Sequence, residues 1–225
     1  MKRAKAAKRR PGRRSVAESQ ETRERLLAVA QRLFAQHGYA GTSIRDLGSA
    51  LGVASSSVLH HVGSKRKLYA LVLSRISDSL SGAASNIQAR EGADMMREFA
   101  ERMMTWLDQN PEYVQIVVRE MMEIPDRLSE AHQWLLADFM QEALELSEQA
   151  TASRSASKVD AEMMLMLIIG AVTNFHVSLP TFMRLRGARD PLDMKQRFIN
   201  TLDQLIRTTL APQHGPPAEL RDRMP

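Results

Sequence analysis

Between Ser43 and Val62 the chain reads Ser-Ile-Arg-Asp-Leu-Gly-Ser-Ala-Leu-Gly-Val-Ala-Ser-Ser-Ser-Val-Leu-His-His-Val, a stretch that can fold in few ways. Ile44, Leu47 and Leu51 recur at helical spacing, and Ser43 followed by Asp46 is the pattern of a capping box. Gly52 breaks that helix, and a second short helix is expected over roughly 55–62. Leu47, Leu51, Val58 and Val62 fill the inner angle between the two, with Val53 as an apolar plug. This is the sequence shape of a helix-turn-helix. Ser55, Ser56, Ser57 and His60 are expected to face outward, short enough for the second helix to approach base edges and phosphates closely.

The rest of the chain also reads as helix, without sustained apolar/polar alternation and with glycine and proline falling between helical runs. Leu26, Leu27, Ala30, Leu33 and Phe34 mark one face of a helix that ends at His37-Gly38. Ser64 caps a longer helix from about Lys65 through the 74–85 stretch. Further helices are expected near 94–109, 112–123, 126–150, 158–179 and 191–210, with Pro111, Pro125 and Pro191 at or near first-turn positions. The fold class is therefore all-α: three helices with a helix-turn-helix, then a larger helical part. The expected divisions are a disordered basic arm at 1–20, the helix-turn-helix domain at 21–67, the larger domain at 68–211 and a disordered tail at 212–225. The domain boundary is expected inside the helix that starts at Lys65.

Charge is distributed unevenly. Residues 1–70 hold 15 Lys and Arg against 4 Asp and Glu, whereas the remainder holds 16 against 22. A basic N-terminal third on an acidic remainder points to a polyanion held by one end of the molecule. The arm itself carries eight basic residues in its first fourteen, Arg9, Arg10, Arg13 and Arg14 among them, with nothing apolar to bury. No apolar run follows it, so it does not read as a signal peptide. Met163 to Leu179 is the most apolar segment, but it reads as too short and too polar to cross a bilayer. With no cysteine in the chain, a soluble protein of the reducing cytoplasm is expected.

Thr22 to Leu73 resembles the tetracycline-repressor (TetR-like) family of transcriptional regulators. The residues that carry the resemblance are Thr22-Arg-Glu-Arg-Leu-Leu27, Ala30, Leu33-Phe34, Gly38-Tyr39, Gly41 through Leu47, Leu51-Gly52-Val53, His60-His61, Ser64-Lys65 and Leu68-Tyr69. It implies a sequence-specific DNA-binding regulator, commonly a ligand-responsive repressor that binds a palindromic operator as a dimer. Carried across, Arg45, Ser56 and Ser57 contact the groove, and Ser43, His61 and Lys65 contact phosphates. The sequence departs from the family where Leu59 replaces a Tyr, where Val62-Gly63 replaces an aromatic followed by Pro, and where Ser55 replaces Lys or Arg. The basic arm is expected to compensate with phosphate or minor-groove contacts.

In the larger part the resemblance implies a small-molecule pocket, and Met103, Trp106, Met121, Trp134, Phe139 and Phe175 are the candidate lining residues. Fourteen methionines, several in pairs, suit an adaptable apolar pocket or an ordinary core, and any effector is expected to be hydrophobic. The resemblance also implies a homodimer through the helices near 158–179 and 191–210. Asn174 and His176 stand out as polar groups on the former. No cofactor, metal or membrane partner is expected, and the chain does not read as an enzyme: His37, His60 and His61 lack metal-ligand spacing, and Glu120 and Glu123 belong to a solvated charge cluster. Two other readings remain at this point. A sequence-neutral nucleic-acid-coating protein would bind through its arm, and a protein–protein adaptor would carry a degenerate helix-turn-helix.

Overall fold

The computed structural model describes residues 16–89, 92–127, 136–152, 160–185, 187 and 190–210. The described residues form the helices α1 (Val16–Gly41), α2 (Ile44–Leu51), α3 (Ser55–Val62), α4 (Lys65–Ala84), α5 (Gly92–Gln109), α6 (Pro111–Arg127), α7 (Ala137–Ala152), α8 (Ala161–Leu185) and α9 (Pro191–Leu210). No strand occurs among them. They divide into two compact units between Val72 and Leu73, inside α4.

The first unit closes around Leu26, Ala30 and Phe34 of α1, Leu47 of α2, Val58 and Val62 of α3, and Leu68 of α4, all buried. Tyr69 sets its ring edge against Phe34, with centroids 4.9 Å apart. α1 turns out of helical geometry at Gly38 (φ 71°, ψ 175°), where the sequence pattern ends it. The buried Thr42 hydroxyl bonds the carbonyls of Leu33 and Gly38 at 3.1 and 2.9 Å, which satisfies acceptors that the kinked end of α1 leaves open. α1 begins at Val16, so residues 16–20, assigned by sequence to the arm, are helical. Residues 1–15 and 211–225 lie outside the described residues.

In the second unit α5 packs against α7, α8 and α9. Met96, Phe99, Met103 and Met104 are buried along it, as are Ile168 and Val172 of α8 and Ile199, Leu202 and Ile206 of α9. The loop after α4 is tied to α5 by two side chains. The Glu98 carboxylate accepts the backbone N–H groups of Gln88 and Ala89, each at 2.9 Å. Arg102 bonds Glu98 and donates to the carbonyls of Ser85 and Asn86.

Several boundaries differ from the sequence reading. Pro125 lies within α6 and not at the start of the next helix, and α7 is described only from Ala137. α8 continues through Pro180 to Leu185, because a lone proline removes one hydrogen bond and no second breaker follows. The most apolar stretch of α8 averages 1.6 in hydropathy, so by length and composition alone this helix is long and apolar enough to cross a membrane, a test that the core helix of a soluble protein also passes. Glu120 is buried and does not sit in a solvated cluster.

Candidate nucleic-acid interface

Ser43 and Asp46 form the expected capping box at the start of α2. The Ser43 hydroxyl accepts the Asp46 N–H at 3.1 Å and donates to the Asp46 carboxylate at 2.6 Å, while the Ser43 N–H donates to the same carboxylate at 2.8 Å. The bond from the Ser43 hydroxyl, then that from its backbone, holds the Asp46 carboxyl below its usual value. Ser43 therefore serves first as a helix cap, and Arg45 stands exposed beside it.

The angle between α2 and α3 depends on a residue that sequence reasoning passed over. A Cβ on Gly48 would lie 2.8 Å from the Val53 carbonyl oxygen, so only glycine admits this approach of the turn. The Val53 N–H completes the corner by donating to the Gly48 carbonyl at 2.9 Å. Val53 itself is 44% exposed and is not the buried plug that its apolarity suggested. The signal for Gly48 is a glycine inside a strong amphipathic helix, a place where a packing reason is expected.

α3 turns Val58 and Val62 into the core. Ser55, Ser57 and His61 are half-buried, and Ser56, Leu59 and His60 form the outward face. Ser55 and Ser57 are thus less exposed than expected, and Leu59, 40% exposed, shares the outward side. Gly63 closes the helix at φ 75°, a conformation closed to the proline of the family pattern. Ser57 and His61 share a recess of about 180 Å³ with Thr22 and Arg25 of α1, two residues not singled out from the sequence as contacts. Ser64 caps α4 by accepting the Lys67 N–H at 3.1 Å. The Lys65 ammonium sits 4.2 Å from the centre of the Tyr39 ring, and partial burial lowers its pKa. Arg9, Arg10, Arg13 and Arg14 lie outside the described residues.

In the second unit Met103, Trp106, Met121 and Phe139 line a cavity of about 50 Å³, together with Leu80, Val117 and Val172. Thr173 is its one hydroxyl, and the Trp106 indole N–H is taken by Ser79 at 2.8 Å. Phe175 is placed elsewhere, stacked on Phe198 of α9 at 4.3 Å between centroids. Trp134 lies outside the described residues. Along α8, Met163, Met166, Leu167, Gly170, Asn174 and Val177 recur at helical spacing and are all exposed. His176 faces Asp108 of α5, which is also bonded by Lys195 of α9.

Residues 26–72 match the profile of bacterial regulatory proteins of the tetR family. The chain is 26% identical over 186 residues to the HTH-type transcriptional repressor AcnR of Corynebacterium efficiens, covering 81% of this chain and 94% of that protein. It is 37% identical over 67 residues to the HTH-type transcriptional repressor KstR2 of Rhodococcus jostii, covering 30% of this chain and 33% of that protein. Among solved structures, SCO4942 of Streptomyces coelicolor superposes with a TM-score of 0.64 at 21% identity, covering 82% of this chain and 97% of that one. The ketosteroid transcriptional regulator KstR2 of Mycobacterium tuberculosis gives 0.61 at 17% identity, covering 81% and 93%. At these identities the structural likeness concerns the fold.

Proposed function

As a member of the tetR family of bacterial transcriptional regulators, the chain binds DNA, and we propose that it is a ligand-responsive repressor that grips a palindromic operator as a homodimer. The observation that carries this reading is the outward face of α3, set by the Gly48 corner and free of bulky charged side chains. Such a helix can enter a major groove and reach base edges. Arg45 contacts the groove from α2. Arg25 and His61, which line one recess, suit a phosphate, and the basic arm adds further phosphate or minor-groove contacts. Lys65, held over Tyr39, contributes charge near the backbone of the duplex.

The exposed stripe on α8 supports the dimer. Four large apolar side chains, Met163, Met166, Leu167 and Val177, exposed along one stripe of α8 call for a cover, and a second copy of α8 and α9 across a two-fold axis supplies one. Asn174, His176 and Pro180 in the same helix favour protein over lipid as that cover. The protein then works in the cytoplasm, where its operator is.

The cavity among α5, α6, α7 and α8 is the effector site in this reading. Drug-sized ligands occupy roughly 300–1,000 Å³, so Met103, Met121 and Met140 must shift to admit one. Its lining selects a hydrophobic molecule. Effector and operator each favour a different separation of the two α3 helices, so each weakens the other's binding by the same factor.

Selection of bound fragments from a random DNA pool, at near-physiological salt, tests the proposal. An enriched palindrome is the expected result, and its half-site spacing measures the separation of the α3 helices. Binding without enrichment indicates a coating protein, and no binding indicates an adaptor.

A further inference from the structure

Reading a base pair directly takes a side chain that matches its edge. Arg and Lys pair with guanine, Asn and Gln with adenine, Glu and Asp with cytosine, Ser and Thr bond various edges without selecting one base, and apolar groups pack on the thymine methyl. α3, Ser-Ser-Ser-Val-Leu-His-His-Val, contains none of the first six residue types. Val58 and Val62 are committed to the core, and Ser55, Ser57 and His61 are half-buried. Ser56, Leu59 and His60 remain to face the groove. Leu59 is the apolar member of that trio and stands 40% exposed.

From this arrangement we propose that Leu59 is the specificity-determining residue of α3 and packs on the C5 methyl of a thymine in each operator half-site. The proposal rests on the reading that α3 enters the major groove. That methyl is the one apolar group on any major-groove base edge, so it is the group that a leucine can recognise there. Contact removes apolar surface of both partners from water. Ser56 lies one turn before Leu59, and Gly63 one turn after it, so neither end of the face holds the leucine away from the bases. His60, beside it, is placed to donate to a purine acceptor on a neighbouring pair.

Deoxyuridine provides the test, because it pairs as thymidine does and lacks only the methyl. With the operator taken from the selection described above, each thymine in the half-site is replaced singly by deoxyuridine. Affinity is then measured for the intact protein, Leu59→Ala and Leu59→Gln. One position should weaken binding by the intact protein on the order of fourfold, the worth of one buried methyl group. That penalty should vanish in both variants, which should bind the thymine and uracil operators equally well. Circular dichroism establishes that each variant is folded, and agreement between the two separates loss of the contact from a local disturbance.

An equal uracil penalty in all three proteins overturns the inference. So does the absence of a penalty at every thymine, or an enriched half-site that contains no thymine. In each of these cases the operator-reading proposal stands. A selection that enriches nothing overturns both.

Discussion

The Thr42 hydroxyl does work at the residue scale that no contact with DNA requires. It is buried and bridges two carbonyls at the end of α1, so Thr42→Val should destabilise the first unit by about 1–3 kcal/mol in denaturant unfolding. Gly48→Ala forces a methyl group against the Val53 carbonyl and should cost a similar 1–3 kcal/mol, roughly the penalty of overpacking. It should also reduce operator affinity in protein that is still fully folded, because the angle of α3 changes. Lys65→Ala should weaken operator and random DNA alike, and lower the slope of log affinity against log salt by about one. A loss confined to the operator would remove Lys65 from the phosphate contacts. The Ser43–Asp46 cap was legible because it is a bond between near neighbours in the chain. On α3 the inward Val58 and Val62 and the outward Ser56 and His60 were legible, whereas the half-burial of Ser55 and Ser57 depends on packing that the pattern does not show. Val58 and Val62, four apart on one face, already imply that Ser56 and His60 lie opposite, with Leu59 on the flank.

At the scale of elements, the loop between α4 and α5 has a pH dependence. The Ala89 N–H bond first, and the Arg102 and Gln88 bonds with it, hold the folded Glu98 carboxyl below its ordinary value of 4.5. The unfolded chain therefore takes up this proton more readily. The contribution is fully present above the ordinary value and is lost as pH falls through the lowered one. Glu98→Gln should thus be less stable than the parent chain near neutrality, and the gap should narrow below about pH 4.5. A constant gap across acid titration would show that the carboxylate charge is not what ties the loop. Helix number and type in both units could be read from periodicity, but the extent of α8 could not. A lone proline costs one hydrogen bond without ending a helix, so its presence at 180 did not fix where α8 stops. Phe175 was assigned to the pocket because it is aromatic, yet its partner Phe198 is on α9 and no local pattern links them.

At the scale of the whole molecule, Leu167 is 67% exposed in a single chain, so a charge there is harmless unless a second chain covers it. Leu167→Glu should leave the helical circular dichroism unchanged, convert the proposed dimer to monomer in sedimentation velocity and weaken operator binding. An unchanged sedimentation coefficient would place the dimer contact elsewhere. The cavity in the second unit has a mechanical consequence. Empty space that vanishes on unfolding makes the unfolded state smaller in volume, and hydrostatic pressure drives a protein toward its smaller state. Pressure should therefore loosen the helices around Trp106 and change its fluorescence, whereas heat or urea acts on the molecule more evenly. A molecule that fills the void removes the volume on which pressure acts. Compression in the presence of candidate compounds would then reveal any that fills the cavity by the resistance it confers, a test of the proposed effector site.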